Sequence, residues 1–432
     1  MATSRSPAAR TVISGCAVLS PLAEDLDAFR DALHRGQSAI SHDPVEAPVH
    51  TPGGLPGAWL RVFSLSAWAH RHLTPLAADR LVRVAHRCAL PAQTATCVAA
   101  SAIADARLEP ADIQGLVVLV AGNNLSLAQQ ARAALAAVRE PPAVRASYAL
   151  DHLDTDCIGA ISEATGATAA GWTVGAASAS GNAALIQAWR TVATGEAERV
   201  LVVAPVTDLS LSEFLAYQRA GAMATLAGHT DPDPVCAPFD RSRTGFVYGQ
   251  GAAAVVVERL DSARSRSAPA RAELLGHGQR LDGHRGARPE VGGQVAAMQA
   301  ALKSAGLDVI DVDAVNAHAT GSLLGDEVEA ASLLAVFGEG SRVRVNATKA
   351  LTGHCLSAAG LIEAVACSLQ LTYGFIHPNP ALREPIDDRL PLVGRAAEER
   401  ETRVMLSNSF AFSGINTAVV LAAVDREMTW RR

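Results

Sequence analysis

The chain opens on an apolar run, TVISGCAVLSPL, and then changes period. In LAEDLDAFRDALHRG the apolar positions Leu26, Phe29 and Leu33 fall on one helical face, and Gly36 ends the pattern. A strand followed by a helix is predicted there. The segment from His42 to Ala58 is rich in Pro and Gly and reads as a surface connection, and a helical region follows, through Arg80 to Ala104. GLVVLVAG, ERVLVVAPV and GAAAVVVERL are short continuous apolar runs, the pattern of parallel strands covered on both faces. Beyond about residue 263 the order starts again: ARAELLGHG as a strand, VAAMQAALKSAG as a helix, DAVNAHAT as a strand, an Ala-rich helix from Cys355 to Tyr373, then VMLSNSFAF and TAVVLAAV. No sequence repeat of roughly 20 to 50 residues accompanies this. The prediction is a duplicated architecture: one body with lobes 1–262 and 263–432.

Composition narrows the class. Apolar residues are 49% of the 432 and aromatics only 4%, with 34 glycines, so Ala, Val and Leu carry the core of an α/β protein. A formal charge of −6 supplies no global basic field, which argues against nucleic acid as a partner. The seven cysteines (Cys16, Cys88, Cys97, Cys157, Cys236, Cys355, Cys367) form no C-x-x-C or Cys/His cluster and read as reduced thiols of a cytoplasmic protein without a metal site. The first apolar run, behind Arg5 and Arg10, superficially resembles a signal peptide. It contains Ser14, Gly15 and Ser20 and leads into an amphipathic helix, so a strand is the preferred reading. Nowhere do about 18 consecutive apolar residues occur, and no membrane span is expected. Of the 37 basic residues only Lys303 and Lys349 are lysines. A lysine kept in a chain that otherwise writes positive charge as Arg hints at a need for a compact, titratable ammonium, although Lys303 suits a plain helix surface.

Four stretches place small and reactive residues where strands meet helices. In TVGAASASGNAALIQAWRTVATG a helix is predicted from Asn182 to Thr194, with Leu185, Trp189 and Val192 on one stripe and Gly195 as its stop. Ser178 then stands at or just before a helix N-terminus, where unpaired N–H groups favour negative charge and suit a nucleophile or oxyanion site. Capping of the helix by Ser178 or Ser180 is the plainer alternative. VNAHATGSLLGDEVEA sets His318 at a strand end and Asp326 at a helix start, and NATKALTGHCLSAAGLIEA adds Lys349, His354 and Glu363. SNSFAFSGINTAVV, with Phe410 and Phe412, reads alone as a β-hairpin with core aromatics.

In this order, together with PFDRSRTGFVYGQGAAAVVVERL, these stretches resemble the β-ketoacyl-acyl carrier protein synthases of the thiolase-like fold over nearly the whole chain. The resemblance implies internally duplicated α/β/α/β/α layers and a homodimer. It places the nucleophile elbow at Ser178, active-site histidines at His318 and His354, a structural lysine at Lys349 with Glu363 as its partner, and oxyanion and gate positions at Ser178 and Phe412. Thr320, Ser322 and Phe410 become substrate-binding positions. No cofactor is implied beyond the phosphopantetheine that arrives on a carrier protein.

The departures carry the functional reading. Condensing members of the family have cysteine in a pattern like T-A-C-A-S-G, whereas this chain reads AASASG. A thiol at a helix N-terminus ionises readily; a serine hydroxyl needs a general base. Loss of carbon dioxide from a malonyl thioester needs no thiol, only donors for the enolate oxygen, and both histidines remain. Serine for cysteine with both histidines kept resembles the decarboxylating synthases of polyketide β-branching cassettes, which turn malonyl-acyl carrier protein into acetyl-acyl carrier protein beside a hydroxymethylglutaryl-CoA-synthase-like enzyme and enoyl-CoA-hydratase-like enzymes. The alternatives are a Ser-dependent acyltransferase or condensing ketosynthase, and a non-catalytic partner subunit like a chain-length factor. Thr244 and Gln250 replace acidic family residues, and Ser413 replaces a gate glycine, which predicts a stiffer gate. Arg80, Arg83 and Arg87, spaced i, i+3, i+7, are candidates for docking an acidic carrier protein, with a solvated helix face as the plainer alternative. His152, Asp154 and Asp156 are too irregularly spaced for a metal site.

Overall fold

The computed structural model describes residues 10–41, 55–61, 63–225 and 235–424. Ten strands build the central sheet: β1 (Thr11–Leu19), β2 (Val117–Ala121), β3 (Ala170–Val174), β4 (Arg199–Ala204), β5 (Ala252–Arg259), β6 (Ala272–Leu281), β7 (Ala314–Asn316), β8 (Arg344–Asn346), β9 (Val404–Ala411) and β10 (Ile415–Ala422). Their order is β8-β7-β9-β10-β6-β1-β5-β4-β2-β3. Read outward from the centre, each half runs first, fifth, fourth, second, third strand. Each half also repeats the same directions: antiparallel where the fifth strand meets the first and fourth, parallel at the second. The duplication invisible in the residues is therefore explicit in the topology. The halves are joined by a short antiparallel contact, Val12 opposite Glu273 and Ile13 opposite Ala272, so the sheet is continuous.

Period-two alternation explains why the apolar runs are unbroken. Val200, Val202 and Ala204 of β4 face one core and Leu201 and Val203 face another, because helices cover both sides. The helices Leu90–Asp105 and Thr155–Thr165 lie outside the first half, and Val291–Ala305 and Leu323–Phe337 outside the second. Between the halves lie Ser180–Ala193 and Ala359–Tyr373. These two cross so closely that a Cβ on Gly181 would stand 2.5 Å from the Leu361 nitrogen, and one on Gly360 would stand 2.9 Å from the Asn182 nitrogen. Glycine at the crossing brings the start of one helix, and hence Ser178, against the segment that leads into the other.

The opening apolar run is β1, a buried central strand, and not a leader-like segment. Gly36, in the left-handed region at φ 64°, ends the helix Leu26–Arg35 as expected. Two expectations change. The helical region around Arg80 is two helices, Pro75–Ala85 and Leu90–Asp105: Pro91 has no N–H to continue an earlier helix and instead opens a new one. Of the supposed surface connection, residues 42–54 lie outside the described residues, while Leu55 and Ala58 are buried, paired or packed against the 246–250 segment. One helical stretch, Leu356–Tyr373, is long and apolar enough to cross a membrane by composition; it is 89% buried as a core helix.

Candidate active site

Between β3 and the helix Ser180–Ala193 the chain makes a tight elbow. Ala177, a non-glycine residue, sits at φ 48°, and the Ser180 hydroxyl fixes the turn by accepting from Ala176 N (2.8 Å) and donating to Ala177 O (2.7 Å). The helix cap is Ala179, with no side-chain capping bond, so neither serine plays the capping role. Ser178 Oγ instead lies 2.9 Å from His354 Nε2.

His354 is held from the other half. Its N–H donates to Val247 O and its carbonyl accepts from Gly249 N at 3.1 Å. Its ring meets Phe246 edge-on at 5.4 Å and His318 at 5.5 Å, nearly perpendicular in both cases. His318 follows β7, and its ring stands 5.9 Å from Phe410. Burial pushes both imidazoles well below the ordinary histidine value, and the Lys349 ammonium adds to the effect. Nδ1 of each is buried without a partner. Among the described residues no carboxylate therefore orients either ring, which is the arrangement of neutral hydrogen-bonding imidazoles and not of a serine-activating base.

Ser178, His318 and His354 face a cavity of about 590 Å³, which Thr320, Ser322, Phe410 and Phe412 also line. Thr320 Oγ1 donates to Ser322 Oγ at 3.0 Å. Phe410 is buried, while Phe412, at the tip of the β9–β10 hairpin, is 41% exposed with its ring 6.3 Å from Tyr217. Ser413 occupies the left-handed region at φ 66° and donates its N–H to Gly286 O at 2.7 Å. Lys349 and Glu363 do not line the cavity. They form a fully buried pair, Nζ to Oε1 2.5 Å, behind the histidines. Burial pushes the Glu363 carboxyl up, and Lys349 pulls it back. Cys355, next to His354, is no substitute nucleophile: burial pushes its thiol to about 12.

Two buried acids support the His318 loop: Glu329, which the sequence did not mark, and Asp326, which it marked only as a helix start. Glu329 accepts the N–H groups of His318 (2.8 Å) and Ala319 (2.7 Å) and receives Asn408 Nδ2 at 3.3 Å, so it shapes the loop that carries His318. Asp326, pushed by burial to about 7, accepts from Phe239 N and Gly321 N. An available signal was the pair of acids at i and i+3 on a face that is otherwise apolar. Where the resemblance implies lost carboxylates, Arg243 finds Glu327 (2.9 Å) and the carbonyl of Leu323 (2.8 Å), and Gln250 Oε1 accepts from Leu60 N at 2.8 Å; Thr244 is exposed.

Arg80, Arg83 and Arg87 are all exposed and none lines the cavity. They do not share one helical face, because the helix ends at Ala85 and Arg87 falls in the turn beyond; the Arg80 guanidinium is spent on Glu163 O. Asp154 holds the N–H groups of Asn124 and Leu125, and His152 Nδ1 pairs with Tyr148 O.

Comparison with known proteins agrees with this geometry. Residues 8–263 match the family model for the β-ketoacyl synthase N-terminal domain, and residues 271–383 match that for its C-terminal domain. The chain is 35% identical over 322 residues to the polyketide biosynthesis malonyl-ACP decarboxylase PksF of Bacillus subtilis (strain 168), covering 74% of this chain and 77% of that protein. It is 36% identical over 254 residues to 3-oxoacyl-(acyl-carrier-protein) synthase 2 of Rhizobium meliloti (strain 1021), covering 57% and 59%. Among solved structures it superimposes on the ishigamide ketosynthase/chain length factor with a TM-score of 0.85 at 26% identity, covering 96% and 99% of the chains. A β-ketoacyl synthase from Burkholderia phymatum STM815 gives 0.83 at 26% identity, with 96% and 100% coverage. The chain belongs to the β-ketoacyl synthase family of enzymes.

Proposed function

We propose that this enzyme decarboxylates malonyl carried on an acyl carrier protein and leaves acetyl on the same carrier. The observation that carries the reading is the combination of a serine at the nucleophile position with two neutral, buried imidazoles facing the same cavity. The bond between the malonyl carboxylate and C2 breaks, its electron pair moves into the thioester as an enolate, and CO2 leaves. Ring N–H groups of His318 and His354 stabilise the enolate oxygen, and a proton delivered from water to C2 completes the acetyl group. Preorganised donors of this kind are worth about 2.7–4 kcal/mol each. The likeness to PksF, whose name states this activity, supports the reading.

The second reading is a condensing ketosynthase or a Ser-dependent acyltransferase. It is favoured by the Ser178–His354 contact on a strained elbow and by the synthases among the relatives. Incubation with malonyl-loaded carrier protein, followed by mass measurement of carrier and enzyme, separates the two: acetyl-carrier with unmodified enzyme is expected, whereas an acyl adduct on Ser178 would support the second reading.

The wider setting is part of the proposal: a β-branching cassette with hydroxymethylglutaryl-CoA-synthase-like and enoyl-CoA-hydratase-like partners, a cytoplasmic location, and phosphopantetheine brought by the carrier. A homodimer is supported by β3, a sheet-edge strand none of whose five residues is buried, and by exposed Leu135, Val138 and Leu150 earlier in the chain. Docking of the carrier on Arg83 and Arg87 predicts a raised KM and unchanged kcat when both are changed to Glu.

A further inference from the structure

Outside the catalytic cavity, a buried chain of hydrogen bonds joins the two segments that lead to the histidines. Asn316 ends β7 two residues before His318, Asn346 pairs with it at the end of β8, and Thr348 immediately precedes Lys349. Their side chains, with those of Gln370 and His377, are fully buried and do not line the cavity. Asn316 Nδ2 lies 2.6 Å from Thr348 Oγ1 and 3.2 Å from Asn346 Oδ1. Thr348 Oγ1 in turn lies 2.9 Å from His377 Nε2, and His377 Nδ1 lies 3.0 Å from Pro378 O.

Two backbone carbonyls fix the direction of these bonds. Pro378 O can only accept, so Nδ1 carries the His377 proton. Burial holds this imidazole below the ordinary histidine range, at about 4, so the ring is neutral and Nε2 is a bare acceptor. The Thr348 hydroxyl then donates to Nε2, and its oxygen is left to accept from Asn316 Nδ2. The other end agrees. Gln370 Nε2 donates to Ala366 O at 3.1 Å, so Gln370 Oε1 accepts, from His377 N at 3.0 Å and from Asn346 Nδ2 at 2.8 Å. Asn346 therefore turns Oδ1 toward Asn316, which points Nδ2 at both acceptors and keeps its own Oδ1 unpartnered. Two eliminations, one starting at Pro378 and one at Ala366, meet at Asn316 with the same sense.

The anchors of the chain are the segments that carry the site. Ala317 N donates to Asn346 O at 2.8 Å just before His318. Thr348 O accepts from Leu351 N (2.9 Å) and Thr352 N (3.1 Å), and Lys349 O accepts from Gly353 N (3.0 Å), a turn that ends one residue before His354. Reversing or breaking one bond of such a network leaves a buried donor or acceptor unpaired, so the network holds one arrangement. We propose that His377 is a positioning residue: through the Thr348 hydroxyl it locks the strand that leads to His318 against the turn that leads to His354, so that both ring N–H groups meet one enolate oxygen. This inference rests on the decarboxylase reading. Misplacing a catalytic group by a fraction of an ångström lowers the rate without changing what the cavity binds.

The test compares the full-length wild type with Thr348→Val, Thr348→Ser, His377→Leu and His377→Gln, using malonyl-loaded carrier protein. Thr348→Val and His377→Leu are expected to lower kcat by about 10- to 100-fold while KM stays within about twofold. Thr348→Ser keeps the hydroxyl and His377→Gln keeps an acceptor near the Nε2 position, so each should recover most of its partner's loss. A merely structural role would lower the melting temperature and leave the kcat of the folded enzyme alone. Wild-type kcat in folded Thr348→Val and His377→Leu therefore overturns the proposal. A second measurement needs no variant to be active: 15N spectra of histidine-labelled wild type at neutral pH, with His377 assigned by the signals missing from His377→Gln. A proton on Nδ1 and a bare Nε2 are expected, and the opposite tautomer overturns the proposal. Failure of the wild type to form acetyl-carrier overturns the decarboxylase reading instead, whichever tautomer is seen, so the two failures are distinguishable.

Discussion

Ser178 Oγ and His354 Nε2 are 2.9 Å apart, yet the far nitrogen of His354 is buried without any partner. A serine nucleophile needs a base, and the base needs a group to hold its tautomer and to stabilise its cation; here the second requirement is unmet. Ser178→Ala is therefore expected to keep decarboxylation within about tenfold of wild type, a loss of no more than about 1.4 kcal/mol in the barrier. Single-turnover conversion of malonyl-carrier, followed by carrier mass, measures this; loss of activity beyond a thousandfold would return the serine to a nucleophilic role.

His318→Ala and His354→Ala each remove one donor to the enolate oxygen, and each should lower kcat by roughly 10² to 10³. The two rings meet over one cavity, so the double variant should fall short of the product of the single effects. Steady-state kinetics on all three variants reads the coupling.

Because burial lowers both imidazole pKa values well below the ordinary 6.5, the rings remain neutral as the pH drops through that value. The sign follows directly: a depressed pKa moves protonation, and any acid limb it causes, to lower pH. The kcat/KM profile for malonyl-carrier should be flat from pH 8 down through pH 6.5. An acid limb centred near pH 6.5 would indicate a solvated histidine acting as a base.

Lys349 and Glu363 form a pair with side chains 1% and 2% exposed, so removing one partner strands the other. Lys349→Met should destabilise the fold by about 3–5 kcal/mol, and the double change Lys349→Met with Glu363→Leu should recover much of it. Denaturant midpoints of the three proteins test the pair.

Ser413 holds a left-handed backbone and a bond to Gly286 at the tip that carries Phe412. Relieving that constraint with Ser413→Gly should speed amide exchange at residues 411–414. In a Ser178→Cys background the same change should increase thiol acylation by acyl-carrier, measured as mass added to the enzyme.

Strands and helix stops are legible in the residues where a single local cause acts. β4 and β5 are unbroken apolar runs because both faces are covered, and Gly36 stops a helix because it alone takes φ 64° without strain. Elements whose cause is distant in the chain are not legible in this way. Arg87 left its helix because of a proline ahead of it, and Leu55 is buried by residues nearly two hundred positions later. In the site, Ser178, His318 and His354 stood out through a family pattern, whereas Glu329 did not, because its role comes from backbone N–H groups that only the folded chain brings to it.

The pairing of Ser178 with a histidine 176 residues later also bears on the protein's birth on the ribosome. The first five strands and the serine elbow emerge as a unit whose own five-strand order is complete, but that unit contains neither His318 nor His354. A nascent or truncated first half therefore carries the serine elbow without either histidine, and one face of its sheet lacks the helix Ala359–Tyr373 that completes its core, so the site and that core are finished together, only when the second half has been made.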